Sequence, residues 1–408
     1  MVSPTFILGG NIVEDSKTSV FANSLIWFGA AVSIAEIITG TLVAPLGFAK
    51  GFAAVLIGHV IGCIPLYMAG LIGARSGKSA MESVSMSFGR IGGVFFAMLN
   101  VTQLVGWTAV MIISGGRAVN VAASGMFAGV PFWCVLIGAL VILWIMIGIT
   151  NLGWLNIFAM GALFVLTVVL SFIIFDGSAH GTVQGVISFG NAVELSAAMP
   201  LSWMPLISDY TRHAKRPNAA ALASVAVYFV TSCWMYAIGL GAAIFTGDTD
   251  IAKIMLSAGL GLAAVFIIIV STVTTTFLDA YSAGVSFMLI NSNIGEKRVG
   301  VLVAIVGTAL AIFTPIEQYE NFLFLIGSVF APMISVLIVD FFFVRKDCSR
   351  DSFNFANLAL WAAGFVLYRI FMGIDTPVGS TLPVMAVVCL MSAAAGFVRV
   401  RAARTADR

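Results

Sequence analysis

The sequence predicts an all-α polytopic membrane protein with twelve transmembrane helices. Of its 408 residues, 60% are hydrophobic and only 9% are charged, whereas a soluble domain carries roughly 25% charged residues. The mean hydropathy of +1.07 reflects apolar segments that follow one another with short polar connections. Too little sequence lies outside these segments to build a second, soluble domain, so we expect residues 1–408 to fold as a single domain.

Windows of about 20 residues, long enough to cross a bilayer, can be placed twelve times along the chain. They lie near residues 21–46, 52–73, 91–116, 131–150, 153–175, 191–211, 219–246, 260–290, 299–314, 320–343, 354–372 and 380–398. The first window follows a polar lead and is too long for the apolar core of a signal peptide, which spans about 7–15 residues. We therefore expect no cleaved signal peptide.

Lysine and arginine are distributed unevenly between the two predicted sides of the membrane. If the N-terminus is cytoplasmic, all but four of the 20 basic residues fall on the cytoplasmic side or its interface; the exceptions are Lys50, Arg117, Lys253 and Arg369. Such an asymmetry is typical of cytoplasmic loops. It predicts a multi-pass protein of the bacterial inner membrane with both termini in the cytoplasm.

Two windows carry helix-breaking residues at corresponding positions, five spans apart. The first contains Gly29, Gly40 and Pro45, and the sixth contains Pro200 and Pro205. Paired interruptions of this kind indicate an inverted repeat with a binding site at its interface, although proline kinks also occur without such a role. We expect both helices to be interrupted, with repeats at 21–175 and 191–343 and two additional spans at 354–398.

Two carboxyl groups lie near the middle of predicted spans, Glu36 in the first and Asp279 in the eighth. A charge-capable group at this depth costs several kcal/mol unless it faces a partner, a cavity or a substrate. We therefore assign Glu36 and Asp279 to a substrate site and infer a transporter. Ionisable residues near span ends are better explained by structural roles, because they can reach water or the interface. These are Asp209, Glu194, Asp340 and Arg369. His59, alone on an apolar helix, is interpreted as a hydrogen-bonded packing residue.

Spans 3 and 6 offer surfaces suited to a flat ligand. Gln103 and Trp107 are four residues apart and share one helix face, and the intervening Gly106 would let a backbone or ligand approach. An indole can stack on a planar ring while an amide bonds to its edge. Ser202 and Trp203 lie between the two prolines of span 6 and could cover the opposite face. The pair in span 3 could also be a lone polar residue beside an interfacial tryptophan.

Span 8 is rich in hydroxyl groups one to two turns before Asp279. Ser271, Thr274 and Thr275 could join carbonyl oxygens freed in span 1 to form an oxygen-only cage for a monovalent cation, or they could bond back to their own helix. Motifs for nucleotide hydrolysis, zinc proteases and serine hydrolases are absent from the sequence. We expect neither enzymatic activity, nor a cofactor, nor nucleic-acid binding. The remaining energy source is an ion gradient.

Several segments resemble the nucleobase:cation symporter-1 family, the cytosine permeases and hydantoin transporters of LeuT-type fold. The resemblance is carried by 54–58 and 70–89 around span 2, by Gln103 to Trp107, by Asp209-Tyr-Thr-Arg212, and by Thr274-Thr275 with 281–284. It extends along nearly all of the chain. The stretch from Pro200 to Arg212, together with Glu36, is most similar to the hydroxymethylpyrimidine permeases, a branch linked to salvage of a thiamine precursor.

The resemblance implies roles for residues that match its motifs. Sodium would be held by the Gly29 and Val32 carbonyls and by the Thr274 and Thr275 hydroxyls, to which we add Ser271. Trp107 and Trp203 would sandwich a heterocycle with Gln103 at its edge. The remaining candidate substrate-binding residues are Glu36, Ser33, Ser202 and Asp279.

These expectations describe a symporter that imports hydroxymethylpyrimidine with sodium by alternating access. Span 8 has Thr276 and Asp279 where the cytosine permeases carry asparagines, and Glu36 replaces an apolar residue. A cytosine or purine permease, coupled either to sodium or to protons, is the alternative within the class. A passive channel or a transport-derived receptor is the alternative outside it. The sequence leaves the oligomeric state open.

Overall fold

The computed structural model describes residues 17–123, 129–147, 153–175, 183, 185–247, 250, 253, 261–313 and 319–406. Thirteen α-helices lie in this part of the chain. They are α1 (Val20–Ala31), α2 (Ile34–Leu42), α3 (Phe48–Ser76), α4 (Ala80–Ala122), α5 (Val130–Ile147), α6 (Gly153–Phe175), α7 (Phe189–Thr211), α8 (Pro217–Gly241), α9 (Gly261–Ile290), α10 (Glu296–Phe313), α11 (Tyr319–Val339), α12 (Phe355–Phe371) and α13 (Thr381–Ala406).

Every predicted window coincides with one of these helices, except that the first contains both α1 and α2. Within the described residues, seven helices are long and apolar enough to cross a membrane alone, and the bent pair α1–α2 makes an eighth. Backbone hydrogen bonding explains why the predicted windows coincide with helices. In hydrocarbon each backbone polar group must be paired inside its own segment, so apolar windows of this length form helices.

Twelve of the thirteen helices form three packed groups, and α6 contacts α1, α8 and α9. α1, α2, α3, α7 and α8 contact one another and form what we call the bundle, whereas α4, α5, α9 and α10 form a second group that we call the scaffold. The last three helices, α11 to α13, pack together, and α11 also contacts α7. The bundle meets the scaffold where α1 contacts α9 and where α2 and α7 contact α4.

The predicted interruption in span 1 is confirmed. α1 and α2 are bent by 51° at a short break formed by Val32 and Ser33. Ser33 has an extended conformation (φ −134°, ψ 153°), and its hydroxyl accepts the Glu36 backbone N–H at 3.3 Å. Serine is favoured at such a position because it supplies an acceptor to a helix N-terminus that would otherwise lack one.

The predicted interruption in span 6 is wrong, because α7 runs continuously through Pro200 and Pro205. Close packing on α3 supports this helix along its length: a side chain at Gly62 would collide with Pro200 and the Ala197 carbonyl. The Pro205 carbonyl also accepts the Asn100 amide at 3.2 Å, which adds a contact between α7 and α4.

Candidate functional site

A cavity lies where the bundle meets the scaffold. It is lined by Ser33, Ala35, Glu36, Trp107, Met111, Met199, Ser202, Trp203, Thr275 and Asp279. The bundle contributes the side chains on α2 and α7, and the scaffold contributes those on α4 and α9. The break between α1 and α2 opens onto this cavity, because Ser33 caps the helix end that carries Glu36.

The Glu36 carboxyl has hydrogen-bond partners on α8. Glu36 is 1% exposed; its Oε1 accepts the Tyr228 hydroxyl at 2.8 Å, and its Oε2 lies 2.7 Å from the Ser232 hydroxyl. Ser232 in turn lies 2.6 Å from His59 Nε2. A buried carboxyl therefore reaches the cavity from within a polar network on α2, α8 and α3.

Two tryptophans lie on opposite groups of helices around the cavity. Trp107 on α4 meets the ring of Phe322 edge-on, with centroids 5.6 Å apart. Trp203 on α7 meets Trp27 edge-on, also at 5.6 Å. Each indole thus packs edge-on against another aromatic ring, a geometry that aromatic pairs favour.

Gln103 lies outside the set of side chains that line the cavity. Its Nε2 donates to Asn100 Oδ1 at 2.8 Å, and the Asn100 amide bonds to Ser286 and to Pro205. Gly106 makes room for a side chain rather than for a ligand, since a Cβ there would lie 2.7 Å from the Phe322 ring. The role of Gln103 at the edge of a ligand remains a prediction.

The hydroxyl groups of α9 contact the carbonyls at the end of α1. Ser271 Oγ donates to the Val32 carbonyl at 2.6 Å, and Thr275 Oγ1 donates to the Gly29 carbonyl at 3.4 Å. Thr274 bonds to carbonyls of its own helix, at 3.0 Å each. Four of the five predicted sodium ligands are therefore adjacent, and their oxygens are the neutral carbonyl and hydroxyl type that binds sodium at broken helices.

Asp279 continues the same helix face, because Ser271, Thr275 and Asp279 are spaced four residues apart. It is buried and lines the cavity. Within the described part of the chain, its carboxyl has no hydrogen-bond partner, in contrast to Glu36.

The acidic residues near span ends have structural contacts, as predicted. Glu194 on α7 accepts hydrogen bonds from the backbone of Ser380 and Thr381 at 2.6 and 2.8 Å and from the Tyr368 hydroxyl, and so ties the bundle to α12 and α13. Asp209 accepts the Ala80 N–H at 2.9 Å. Asp340 accepts the Asn357 amide at 2.6 Å. Glu194 is buried, so these residues act through pairing rather than by reaching water.

Sequence reasoning missed Tyr228 and Ser232. The signal that could have indicated them is their spacing of four residues, which puts two hydroxyl groups on one face of the span. His59 is hydrogen-bonded, as predicted, but its partner on α8 connects it to the cavity.

Two solved transporters share this fold. Mhp1, a nucleobase-cation-symport-1 family transporter in a closed conformation with bromovinylhydantoin bound, matches with a TM-score of 0.79 at 19% identity, over 93% of this chain and 92% of that one. A Na+-coupled sialic acid symporter in a substrate-bound outward-open state matches with a TM-score of 0.64 at 14% identity, over 93% and 89%. The predicted all-α, LeuT-type fold is confirmed.

Sequence comparisons agree with the fold. Cytosine permease of Escherichia coli (strain K12) is 27% identical over 83% of this chain and 81% of its own length. Hydantoin permease of Microbacterium maritypicum is 22% identical over 80% and 73%. The family described as permease for cytosine/purines, uracil, thiamine, allantoin matches residues 13–398. The chain therefore belongs to this family and is a multi-pass membrane transporter of the nucleobase and hydantoin type, not an enzyme.

Proposed function

We propose that this permease imports hydroxymethylpyrimidine, an aminopyrimidine precursor of thiamine, together with sodium by alternating access. One observation carries the proposal: a cavity with two buried carboxyl groups and two indoles adjoins an oxygen-only contact between α1 and α9. A cavity of this kind suits a flat ring whose edge bears hydrogen-bond donors.

The carboxyl groups favour a substrate with donors on two sides. A 4-aminopyrimidine presents an exocyclic N–H toward one group, and its 5-hydroxymethyl substituent presents an O–H toward another. Glu36 and Asp279 lie on α2 and α9, on opposite groups of helices. Because a buried acceptor left unpaired costs about 1–3 kcal/mol, a ring lacking one of these donors should bind less tightly.

Stacking would orient the ring between the bundle and the scaffold. Trp107 and Trp203 line the cavity from α4 and α7, so a ring between them would contact both groups of helices. The contacts between the ring and the two indoles would then depend on the relative position of the bundle and the scaffold, as an alternating-access mechanism requires.

Sodium suits the neighbouring oxygens because they are uncharged and come from a broken helix and a hydroxyl-rich helix. The ion would bring one net charge inward. In a cell whose interior is negative, that charge gains about 2.3 kcal/mol per 100 mV, roughly fiftyfold in accumulation. In the described residues, clusters of three or more His, Cys, Asp or Glu that could hold another metal are absent.

Thermal unfolding of the detergent-purified protein tests substrate and ion together. The ligands are hydroxymethylpyrimidine, cytosine, uracil and hypoxanthine, each in sodium or choline buffer. A ligand that binds only the folded state at 100 times its Kd adds about 2.7 kcal/mol of stability. We expect a rise in Tm with hydroxymethylpyrimidine that requires sodium. A rise with cytosine or hypoxanthine alone would make the protein a cytosine or purine permease instead.

Vesicle uptake separates the remaining alternatives. Accumulation that follows an imposed sodium gradient supports the proposed coupling, whereas accumulation that follows only a proton gradient contradicts it. Counterflow of labelled substrate excludes a passive channel, and any net uptake excludes a receptor that has lost transport.

A further inference from the structure

Glu36, Ser232 and His59 form a continuous chain of hydrogen bonds inside the bundle. The distances are 2.7 Å between Glu36 Oε2 and Ser232 Oγ, 2.6 Å between Ser232 Oγ and His59 Nε2, and 2.9 Å between His59 Nδ1 and the Val55 carbonyl. Each is short enough to require a hydrogen atom between the two heavy atoms. Glu36 and His59 are 1% and 0% exposed, so water does not substitute for these partners.

The positions of the hydrogens follow from what each group can donate. A carbonyl only accepts, so His59 Nδ1 carries a hydrogen. A neutral imidazole then has an unprotonated Nε2, which must accept from Ser232. The serine has only one hydrogen, so none remains for Glu36, and Oε2 must supply its own. With an ionised Glu36 and a neutral His59, the chain would lack one hydrogen.

Two arrangements supply that hydrogen, a carboxylic acid beside a neutral imidazole or a carboxylate beside an imidazolium. Taking two charges out of water is costly unless other groups compensate them. The titratable groups that face Glu36 from the surrounding helices are neutral or acidic. They are Tyr228 and Cys233 on α8, His59 and Cys63 on α3, and Asp279 on α9. Lysine and arginine are absent from the described residues that line the cavity, and α4 and α7 contribute no titratable group to it.

We propose that Glu36, Ser232 and His59 form a proton-binding site in the wall of the cavity, in which Glu36 is an un-ionised acid at neutral pH. The acid donates from Oε2 to Ser232, Ser232 donates to His59, and His59 donates to Val55. Oε1 accepts the Tyr228 hydroxyl and keeps a second lone pair. Toward the cavity, Glu36 is thus an uncharged acceptor.

This arrangement also has a consequence for the substrate, and that consequence rests on the proposed function. An uncharged acceptor binds the N–H of a neutral heterocycle and offers no charge to a cationic one. The network also lies entirely on α2, α3 and α8, within the bundle. Movement of the bundle against the scaffold would leave the proton in place, so the charge carried in each cycle would come from the cation alone.

Infrared spectroscopy of the ligand-free purified protein tests the proton site without reference to any substrate. At neutral pH, wild type should show a carboxylic acid C=O band that Glu36→Gln lacks. His59→Phe keeps a ring of similar size but removes the acceptor for Ser232, which is then free to donate to a Glu36 carboxylate. We expect the proton affinity of Glu36 to fall at least about tenfold and the band to weaken at the same pH.

The control is His213→Gln, on the loop after α7. His213 lies outside the network and accepts a hydrogen bond from Arg212. Its pKa is lowered mainly by burial and also by the positive charge of Arg212. The band should persist in this variant. Absence of the band from wild type, or an unchanged band in His59→Phe, would overturn the proposal.

Nitrogen-15 NMR of histidine-labelled protein gives a second measurement if His59→Phe fails to fold. The chain has three histidines, and Glu36→Gln should shift the signals of His59 selectively. We expect a neutral ring with hydrogen on Nδ1. An imidazolium, or a ring with hydrogen on Nε2, would contradict the proposed arrangement. Because neither experiment uses a ligand, a wrong substrate would leave both results intact.

Discussion

Replacing Trp107 with leucine should weaken ligand binding while the protein still folds. Trp107 is 6% exposed and lines the cavity from α4, and the ring of Phe322 packs edge-on against it. Leucine keeps the site apolar but removes the flat face. Stacking of a base on an aromatic side chain is worth about 1–3 kcal/mol by substitution, and about 1.4 kcal/mol corresponds to a tenfold change in affinity. We therefore expect Kd to rise between about fivefold and 150-fold.

Calorimetric titration of hydroxymethylpyrimidine into the purified protein in sodium buffer would measure this change. Trp107→Phe retains a flat ring and should recover most of the affinity. Trp133→Leu is the matched control, because Trp133 is 5% exposed on α5 but is not among the described residues that line the cavity. It should lower the Tm without altering Kd.

An unchanged Kd in Trp107→Leu would refute the stacking role. An equal loss in Trp133→Leu would refute it as well, because the effect would then come from a general disturbance of the scaffold. If the ligand that binds is cytosine or hypoxanthine, the same comparison applies, since every base has a flat face.

Substitutions at three further positions test other parts of the structure. Ser271→Ala should raise the sodium concentration needed for half-maximal ligand binding about tenfold, whereas Ser271→Thr should leave it nearly unchanged. Equal sodium dependence in the wild type and the alanine variant would contradict the proposed sodium site. Gly239→Ala would bring a Cβ into the Ile37 carbonyl and should cost about 1–3 kcal/mol, seen as a lower Tm; an unchanged Tm would show that the helices separate freely. Asp209→Ala removes the acceptor of the Ala80 N–H and should lower the free energy of unfolding by about 1–3 kcal/mol, seen as a lower Tm. Asp209→Asn retains an oxygen that can accept this N–H and should lower the Tm less. Equal losses in the two variants would assign the effect to charge.

The spans and the broken first helix could be predicted because their causes are local. A long apolar window can pair its backbone N–H and C=O groups in hydrocarbon only by forming a helix. The presence and the position of each helix therefore follow from the composition of the window. The cost of burying a carboxyl likewise directs Glu36 and Asp279 toward a cavity. Both residues line it, as do Trp107 and Trp203. The roles of these residues, and the boundaries of the two repeats, remain predictions.

Features that depend on distant neighbours could not be predicted. The prolines of α7 indicated a break, but α3 packs against the helix closely enough to keep it continuous. Gln103 shares a face with Trp107, yet Asn100 engages its amide. Ser232 is separated from Glu36 by 196 residues, and periodicity within a span carries no information about such a partner. Local pattern therefore indicates which residues are buried, while tertiary packing decides what they bond to.

The location of the candidate ligands suggests how an ion and a substrate would be coupled. Ser271 and Val32 face each other across the boundary between scaffold and bundle, and the walls of the cavity come from the same two groups. In the proposed cycle, sodium and substrate would each stabilise the arrangement in which these groups are close together. Each ligand would then raise the affinity of the other by the same factor, because coupling between two binding sites is reciprocal. The Glu36, Ser232 and His59 network does not cross this boundary, so its proton would be insensitive to the movement. In the proposed cycle, the Glu36 proton would therefore not be the coupling ion.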